Sequence, residues 1–252
     1  MSGSGVSFEV ADGVGRIVLD RPEVSNAIDL AAAESFGRAV TAAGADEVKA
    51  VLLTGAGSRF CAGGDVRSFL QAADPPAYLR ELASTLEAAL RRLSALPKPV
   101  VAAVQGAVAG AGLAFVLNAD IVVAARSTRF RMAYAGIGLT PDCGVSYLLP
   151  RAVGTQRALE FALTGRTLTA DEAHGWGLVT EVAGDDVLAS RASELARGLA
   201  CGPASALGQA KRLIRSSLEA SREDSAADEA DTIAAAVDTE EARRLIHRFT
   251  AT

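Results

Sequence analysis

The chain has 252 residues, half of them hydrophobic, and a formal net charge of −5. This length is enough for one sizeable core with a smaller appended part. Only 5% of the residues are aromatic and no block of Lys or Arg is present, which argues against a nucleic-acid-binding surface. The longest apolar run, residues 99–125, is interrupted by Gly, Gln, Asn and Asp, so we expect no membrane association.

The first half of the chain predicts strands alternating with helices. Residues 15–20 are typical of a short strand, and residues 29–44 have helical periodicity with Asp29 as N-cap and Gly44 as the stop. A buried strand is predicted at 48–55 and a long amphipathic helix at 75–96. Further strands are expected at 100–106, 120–125 and 128–133. This order predicts an α/β protein whose parallel strands are joined by helices.

The second half is predominantly helical. Helices are predicted at 154–165, 185–200, 203–218 and 225–249, and another helix starts at a capping box formed by Thr169 and Glu172. The simplest organisation is a core over residues 1–195 and a C-terminal helical region over residues 196–252.

Cysteine and histidine give little sign of nucleophilic or metal chemistry. Cys61, Cys143 and Cys201 are an odd number at irregular spacing, which predicts small apolar side chains in a reducing cytoplasm rather than disulfides. His174 and His247 have no partner motif, so a Ser-His-Asp or Cys-His mechanism is poorly supported. No cluster of ligand residues indicates a metal site.

Two glycine-rich segments leave two interpretations open. Residues 61–65 follow a strand, and residues 106–112 follow another strand and lead into a helix. One interpretation is that these segments serve only tight turns and close packing. Alternatively, backbone N–H groups from the two segments could together bind a developing negative charge as an oxyanion hole.

Asp142 is the one acid in the run "IGLTPDCGVSYLLP" at residues 137–150. A carboxylate after a proline and before a helical run is a common N-cap. The same carboxylate could instead transfer a proton.

The chain resembles the crotonase (enoyl-CoA hydratase/isomerase) superfamily over most of its length. The resemblance rests on four motifs together, which lie at residues 19–28, 51–66, 98–124 and 137–154. It implies a crotonase-type (ββα) spiral core that binds CoA thioesters. It also implies an oxyanion hole formed by the N–H groups of Gly64 and Ala111. The residues that the resemblance places around the CoA nucleotide are Val24, Ala27, Ala62, Asp65 and Val66.

The match departs from the two-glutamate hydratases of the superfamily. Ala114 and Tyr134 stand where those enzymes carry their two glutamates, so the pair that holds and activates water is absent. Tyr134 is expected to line the substrate site. Asp142 lies where certain enoyl-CoA isomerases of the superfamily place an acid, and a dehalogenase of the superfamily uses an aspartate nearby as nucleophile.

These features favour an enoyl-CoA isomerase of fatty-acid-type metabolism, with Asp142, Gly64 and Ala111 as the catalytic groups. The alternatives are an enoyl-CoA hydratase and a non-catalytic acyl-CoA binder. The resemblance implies no permanently bound cofactor, since coenzyme A enters as part of the substrate. It also implies a homotrimer or a dimer of trimers, with the C-terminal helices serving assembly and covering the site. The ending at 240–252 departs from the usual family pattern.

Overall fold

The computed structural model describes residues 2–3 and 5–251 of the chain. Seven strands form the main sheet in the order β1-β2-β3-β4-β5-β7-β10, and three form a small sheet in the order β6-β8-β9. The strands are β1 (Ser2–Gly3), β2 (Val6–Ala11), β3 (Val14–Leu19), β4 (Ala50–Gly55), β5 (Val100–Val104), β6 (Ala107–Ala109), β7 (Ile121–Ala125), β8 (Arg129–Arg131), β9 (Thr167–Thr169) and β10 (Glu181–Ala183).

Helices cover both faces of the main sheet and make up most of the second half. They are α1 (Leu30–Ala43), α2 (Val66–Leu70), α3 (Pro75–Ala95), α4 (Ala111–Asn118), α5 (Val145–Val153), α6 (Thr155–Thr164), α7 (Ala170–Trp176), α8 (Leu188–Ala200), α9 (Ala204–Ser216), α10 (Arg222–Val237) and α11 (Glu240–Thr250). Short 3-10 turns lie at Pro22–Val24 and Ala135–Ile137. The predicted α/β class is confirmed.

The main sheet is parallel from β3 to β10, while β1, β2 and β3 pair antiparallel. Side chains on a strand alternate between the two faces of a sheet. In β5, accordingly, Val100, Ala102 and Val104 contact the large core that contains α1, α3 and α4. Val101 and Ala103 face the opposite side and pack against α8. Burial on both faces explains why these strands are continuous apolar runs.

The predicted helix signals are confirmed. The Asp29 carboxylate accepts a hydrogen bond from Ala32 N at 2.8 Å at the start of α1, and the helix ends at Gly44. Thr169 and Glu172 form the predicted capping box of α7, with Thr169 N donating to Glu172 Oε2 at 2.8 Å. His174 lies in α7, where its Nδ1 is 3.0 Å from the Val179 carbonyl oxygen, consistent with a structural role.

Several elements differ from the prediction. The segment 225–249 is not one helix, since the chain leaves α10 at Asp238 and Thr239 caps α11 by accepting a hydrogen bond from Ala242 N at 3.2 Å. A threonine hydroxyl that satisfies a first-turn N–H favours a new helix start over continuation. The structure also adds β2, which pairs with β3 as a hairpin around Asp12 and Gly13.

The C-terminal helices contrast with the rest of the chain. Neither α10 nor α11 buries a side chain, and large apolar residues such as Ile233 and Phe249 are exposed. The predicted boundary at residue 195 falls inside α8, whose Ala196 still packs on the sheet. In the described part of the chain, we find no helix both long enough and apolar enough to cross a membrane.

Candidate active site

A cavity of about 420 Å³ lies between the two glycine-rich segments, the helices α2 and α3, and the loop that follows β8. Six of the nine residues predicted for the site line this cavity: Ala62, Gly64, Val66, Ala111, Tyr134 and Asp142. The structure therefore brings together residues that are up to 80 positions apart in sequence, counting from Ala62 to Asp142.

The two glycine-rich segments are joined by backbone hydrogen bonds. Cys61 N donates to Ala107 O at 3.2 Å, and Ala109 N donates to Cys61 O at 3.0 Å. A Cβ atom at Gly112 would clash with the Cys61 carbonyl oxygen, and one at Gly63 would lie 3.1 Å from Ala109 O. Small residues are therefore required for close packing, as the first of the two interpretations proposed.

The same packing leaves two backbone donors at the cavity. In the described chain, the N–H groups of Gly64 and Ala111 donate no hydrogen bond to another protein atom. Ala111 is the first residue of α4 and directly follows Gly110, whose φ of 52° is positive. Free N–H groups at a helix start favour a negative charge. Both segments thus serve close packing and supply candidate oxyanion donors. That the N–H groups of Gly64 and Ala111 point at the same oxygen stays a prediction.

Asp142 does not cap the helix that follows it. The N-cap of α5 is Gly144, and no side chain accepts a hydrogen bond from the first turn. The Asp142 side chain instead accepts a hydrogen bond from the Tyr134 hydroxyl, with 2.8 Å between Tyr134 Oη and Asp142 Oδ1. The N-cap interpretation is therefore wrong, and the half-buried carboxylate lines the cavity.

The groups next to Asp142 are held in their neutral forms. Burial raises the pKa of the Tyr134 phenol well above its ordinary value, and the nearby Asp142 carboxylate raises it further. Burial likewise raises the pKa of the Cys143 thiol, with added contributions from Asp142 and Glu87. Neither side chain is suited to act as a base at neutral pH.

The cavity contains one carboxylate among the described residues that line it, that of Asp142. Ala114, at one of the two glutamate positions of hydratases, is fully buried within α4. The nearby Glu87 lines a second, larger cavity of about 710 Å³ between α3, α5 and α9, which contains none of the predicted site residues. The charge available for chemistry in the 420 Å³ cavity is therefore concentrated on Asp142 and on Arg80 at its edge.

Three residues predicted for CoA binding lie beside the cavity rather than in it. Asp65 accepts a hydrogen bond from Arg21 Nη2 at 3.1 Å and caps α2, and the Ala27 carbonyl accepts one from Arg21 Nη1 at 2.7 Å. Val24 lies in the adjoining 3-10 turn. This strip is joined to the cavity, because Ala62 N donates to Ser25 O at 3.0 Å. Its role in CoA binding stays a prediction.

The sequence interpretation did not include the wall that α2 and α3 contribute. This wall consists mainly of apolar side chains and carries one cation: Phe69, Leu79, Arg80, Leu82 and Ala83. The amphipathic periodicity of residues 75–96 predicted the helix correctly. That pattern gives no information on which part of the apolar face would border a cavity instead of the core.

Comparisons with known proteins identify the family of the chain. The family model described as enoyl-CoA hydratase/isomerase matches residues 9–252. The 1,2-epoxyphenylacetyl-CoA isomerase of Escherichia coli K12 is 42% identical over 212 residues, which cover 82% of this chain and 80% of that protein. The 4-chlorobenzoyl coenzyme A dehalogenase-1 of an Arthrobacter species is 36% identical over 216 residues, covering 83% of this chain and 77% of that protein.

A crystal structure of an enoyl-CoA hydratase/isomerase from Cupriavidus metallidurans CH34 superposes with a TM-score of 0.90 at 36% identity, covering 100% of this chain and 95% of that one. The names of these relatives span isomerase, hydratase and dehalogenase chemistry on acyl-CoA thioesters. The predicted crotonase-type fold is confirmed, and the chain belongs to the enoyl-CoA hydratase/isomerase family of the crotonase superfamily.

Proposed function

We propose that this protein is an enoyl-CoA isomerase in which Asp142 moves a proton between two carbons of the acyl chain. The observation that carries the proposal is the pairing of one cavity-lining carboxylate with two free backbone donors, Gly64 N and Ala111 N. One acid and an oxyanion hole are sufficient for this reaction.

The proposed reaction moves a double bond from the β,γ to the α,β position. Asp142 takes a proton from Cα, and the electron pair of the broken C–H bond passes to the thioester oxygen as a dienolate. Hydrogen bonds from Gly64 N and Ala111 N to that oxygen lower the energy of the dienolate. The protonated Asp142 then delivers the same proton to Cγ, and the electron pair returns to form the α,β double bond. No water and no second acid take part.

Hydration is the less favoured reaction. It requires a water molecule held and activated at Cβ, which the two-carboxylate hydratases achieve with the glutamates that are absent here. The buried Ala114 offers no acceptor, and the Tyr134 hydroxyl is already donating to Asp142.

A panel of thioesters tests this proposal. Purified protein is incubated separately with a 3-enoyl-CoA, a 2-enoyl-CoA and a ring-type acyl-CoA, and the products are followed by mass and by ultraviolet absorbance. We expect the 3-enoyl-CoA to become a conjugated 2-enoyl-CoA of unchanged mass. Rapid gain of one water by the 2-enoyl-CoA, on the order of 10²–10³ per second, would establish a hydratase instead. Binding without any turnover would favour the acyl-CoA binder.

We also propose that the protein assembles as a homotrimer or dimer of trimers through its C-terminal helices. Support comes from the exposed apolar side chains of α9 to α11, among them Ile214, Ile233 and Phe249, the last 85% exposed. Burying such side chains favours association. Size-exclusion chromatography with light scattering measures the mass of the assembly directly. A stable monomer would contradict the proposal.

A further inference from the structure

Tyr134 and Asp142 form a hydrogen-bonded pair inside the cavity. The Tyr134 hydroxyl donates to Asp142 Oδ1 at 2.8 Å, and both side chains are half-buried. The Tyr134 carbonyl also anchors the intervening loop, accepting hydrogen bonds from Ile137 N at 3.1 Å and Leu139 N at 3.0 Å. The loop that carries the acid is therefore folded around the residue that contacts it.

A tyrosine in this setting is a donor and not a base. Burial, and next the negative charge of Asp142, raise the pKa of the phenol far above its ordinary value. The hydroxyl keeps its proton through the neutral and alkaline range, so it can donate to a carboxylate but cannot accept a carbon-bound proton. A hydrogen bond donated to the charged form of an acid stabilises that form.

The other titratable groups around Asp142 come from its own loop and from α3. Cys143 is the next residue, and burial together with Asp142 and Glu87 raises the pKa of its thiol. Glu87 of α3 faces the turn at Gly144, and Arg80 of α3 lines the same cavity as Asp142. Tyr134 donates to Asp142 Oδ1 at 2.8 Å, and a hydrogen bond between the Cys143 thiol and the Asp142 side chain also contributes to the raised pKa of the thiol.

We infer that Tyr134 is a positioning residue: it holds Oδ1 of Asp142 so that Oδ2 is the atom that takes and returns the substrate proton. This inference rests on the isomerase function proposed above. In the first step the Cα–H bond breaks, its electron pair moves to the thioester oxygen, and the proton bonds to Oδ2. The Tyr134 proton stays on the phenol throughout. A carboxylate fixed through one oxygen has fewer orientations to lose on reaching the reactive geometry.

The test compares Tyr134→Phe with a matched control, Tyr147→Phe. The Tyr147 hydroxyl donates to Glu219 Oε1 at 3.1 Å, and Tyr147 does not line the 420 Å³ cavity. Each variant loses one hydroxyl that donates to a carboxylate. We measure kcat, KM and the pH profile of kcat/KM with a 3-enoyl-CoA, and the melting temperature of each protein.

Tyr134→Phe is expected to lower kcat by about 10- to 100-fold with KM changed little, because a hydrogen bond to a charged group is lost where the proton moves. The pH profile of kcat/KM is expected to differ from that of the wild-type protein, because the hydrogen bond donated to the reacting acid is lost. Tyr147→Phe should leave kcat, KM and the profile unchanged. The pH at which kcat/KM falls does not depend on what fraction of the protein is folded. The profile therefore still tests the role of Tyr134 if the variant is less stable.

A second assay separates this inference from the isomerase proposal. Phenylacetyl-CoA has acidic Cα protons, and its β,γ unsaturation belongs to an aromatic ring that does not isomerise. In D2O it therefore reports proton removal followed by exchange of the acid proton with solvent, as deuterium gained by mass. Deuterium uptake that is slowed about 10- to 100-fold by Tyr134→Phe supports the inference even if no 3-enoyl-CoA is isomerised. A Tyr134→Phe variant that matches Tyr147→Phe in uptake and pH profile overturns it. Wild-type protein that shows neither uptake nor isomerisation overturns both proposals.

Discussion

The two sides of the 420 Å³ cavity are built in different ways. One side, the backbone wall, consists of residues 61–64 and 110–112, whose main chains pack so closely that a Cβ at Gly112 would meet the Cys61 carbonyl. The other side, the acid wall, consists of Tyr134 and Asp142, which meet through their side chains. The comparison predicts that changes in the backbone wall damage the fold and with it the chemistry, whereas changes in the acid wall damage the chemistry far more than the fold.

The largest effect is expected from Gly112→Ala in the backbone wall. The added methyl group would overlap a backbone oxygen that is itself held by Ala109 N, so the two segments have to separate. Overpacking of this kind destabilises a protein by at least about 2 kcal/mol, and the shift of Ala111 N should also abolish turnover. Urea unfolding and the 3-enoyl-CoA assay measure the two losses.

Gly198→Ala is the matched control for that substitution. Gly198 is exposed in α8, and a Cβ built there meets no atom within 4 Å. Alanine should stabilise the helix by about 0.5–1 kcal/mol and leave activity unchanged. If Gly112→Ala were as stable as Gly198→Ala, close packing would not be what holds the backbone wall together.

A smaller effect is expected from Asp142→Ala in the acid wall. Because Asp142 does not cap α5, its removal should cost mainly the hydrogen bond to Tyr134, roughly 1.5 kcal/mol of unfolding free energy for a bond to a charged group. The same substitution in a Tyr134→Phe background should cost less, since the partner is already gone.

Thermal and urea unfolding are measured for the wild-type protein, Asp142→Ala, Tyr134→Phe and the double variant. The difference between the two losses caused by Asp142→Ala is the coupling energy between the two side chains. A helix cap would instead give the same loss in both backgrounds, typically about 1 kcal/mol. Equal losses would therefore restore Asp142 as a structural residue and remove the contrast between the two walls.

The parts of the fold that were predictable depend on local signals. Asp29 and Thr169 each lie within three residues of the N–H groups that they cap, so the sequence alone indicates both helix starts. The buried strand β5 is a continuous apolar run, and the mainly apolar strand β4 ends at Gly55. Helix caps and apolar runs reflect local hydrogen bonding and burial, so a short stretch of sequence is enough to recognise them.

The parts that were not predictable depend on contacts through space. Tyr134 and Asp142 are eight positions apart in a loop without periodicity, so nothing in the sequence indicates that their side chains meet. The same loop places Gly144, with φ of 73°, at the N-cap where a Pro-Asp pattern favoured Asp142. The sites were selected by resemblance, and the structure shows which of them share a cavity.

The most direct test of the account is the rate of 3-enoyl-CoA isomerisation by Asp142→Asn. Asparagine preserves the shape of the side chain and can still accept a hydrogen bond from Tyr134, but it cannot take a carbon-bound proton. Asp74→Asn is the matched control, because Asp74 is an exposed N-cap of α3 and asparagine caps about equally well. The affinity for a 2-enoyl-CoA product and the melting temperature are measured alongside.

We predict that Asp142→Asn lowers kcat by about 10²–10⁴-fold while product affinity and melting temperature stay close to the wild-type values. Asp74→Asn should retain full activity. An Asp142→Asn protein that keeps most of its isomerase activity would contradict the account. A group other than the Asp142 carboxylate would then have to accept the substrate proton.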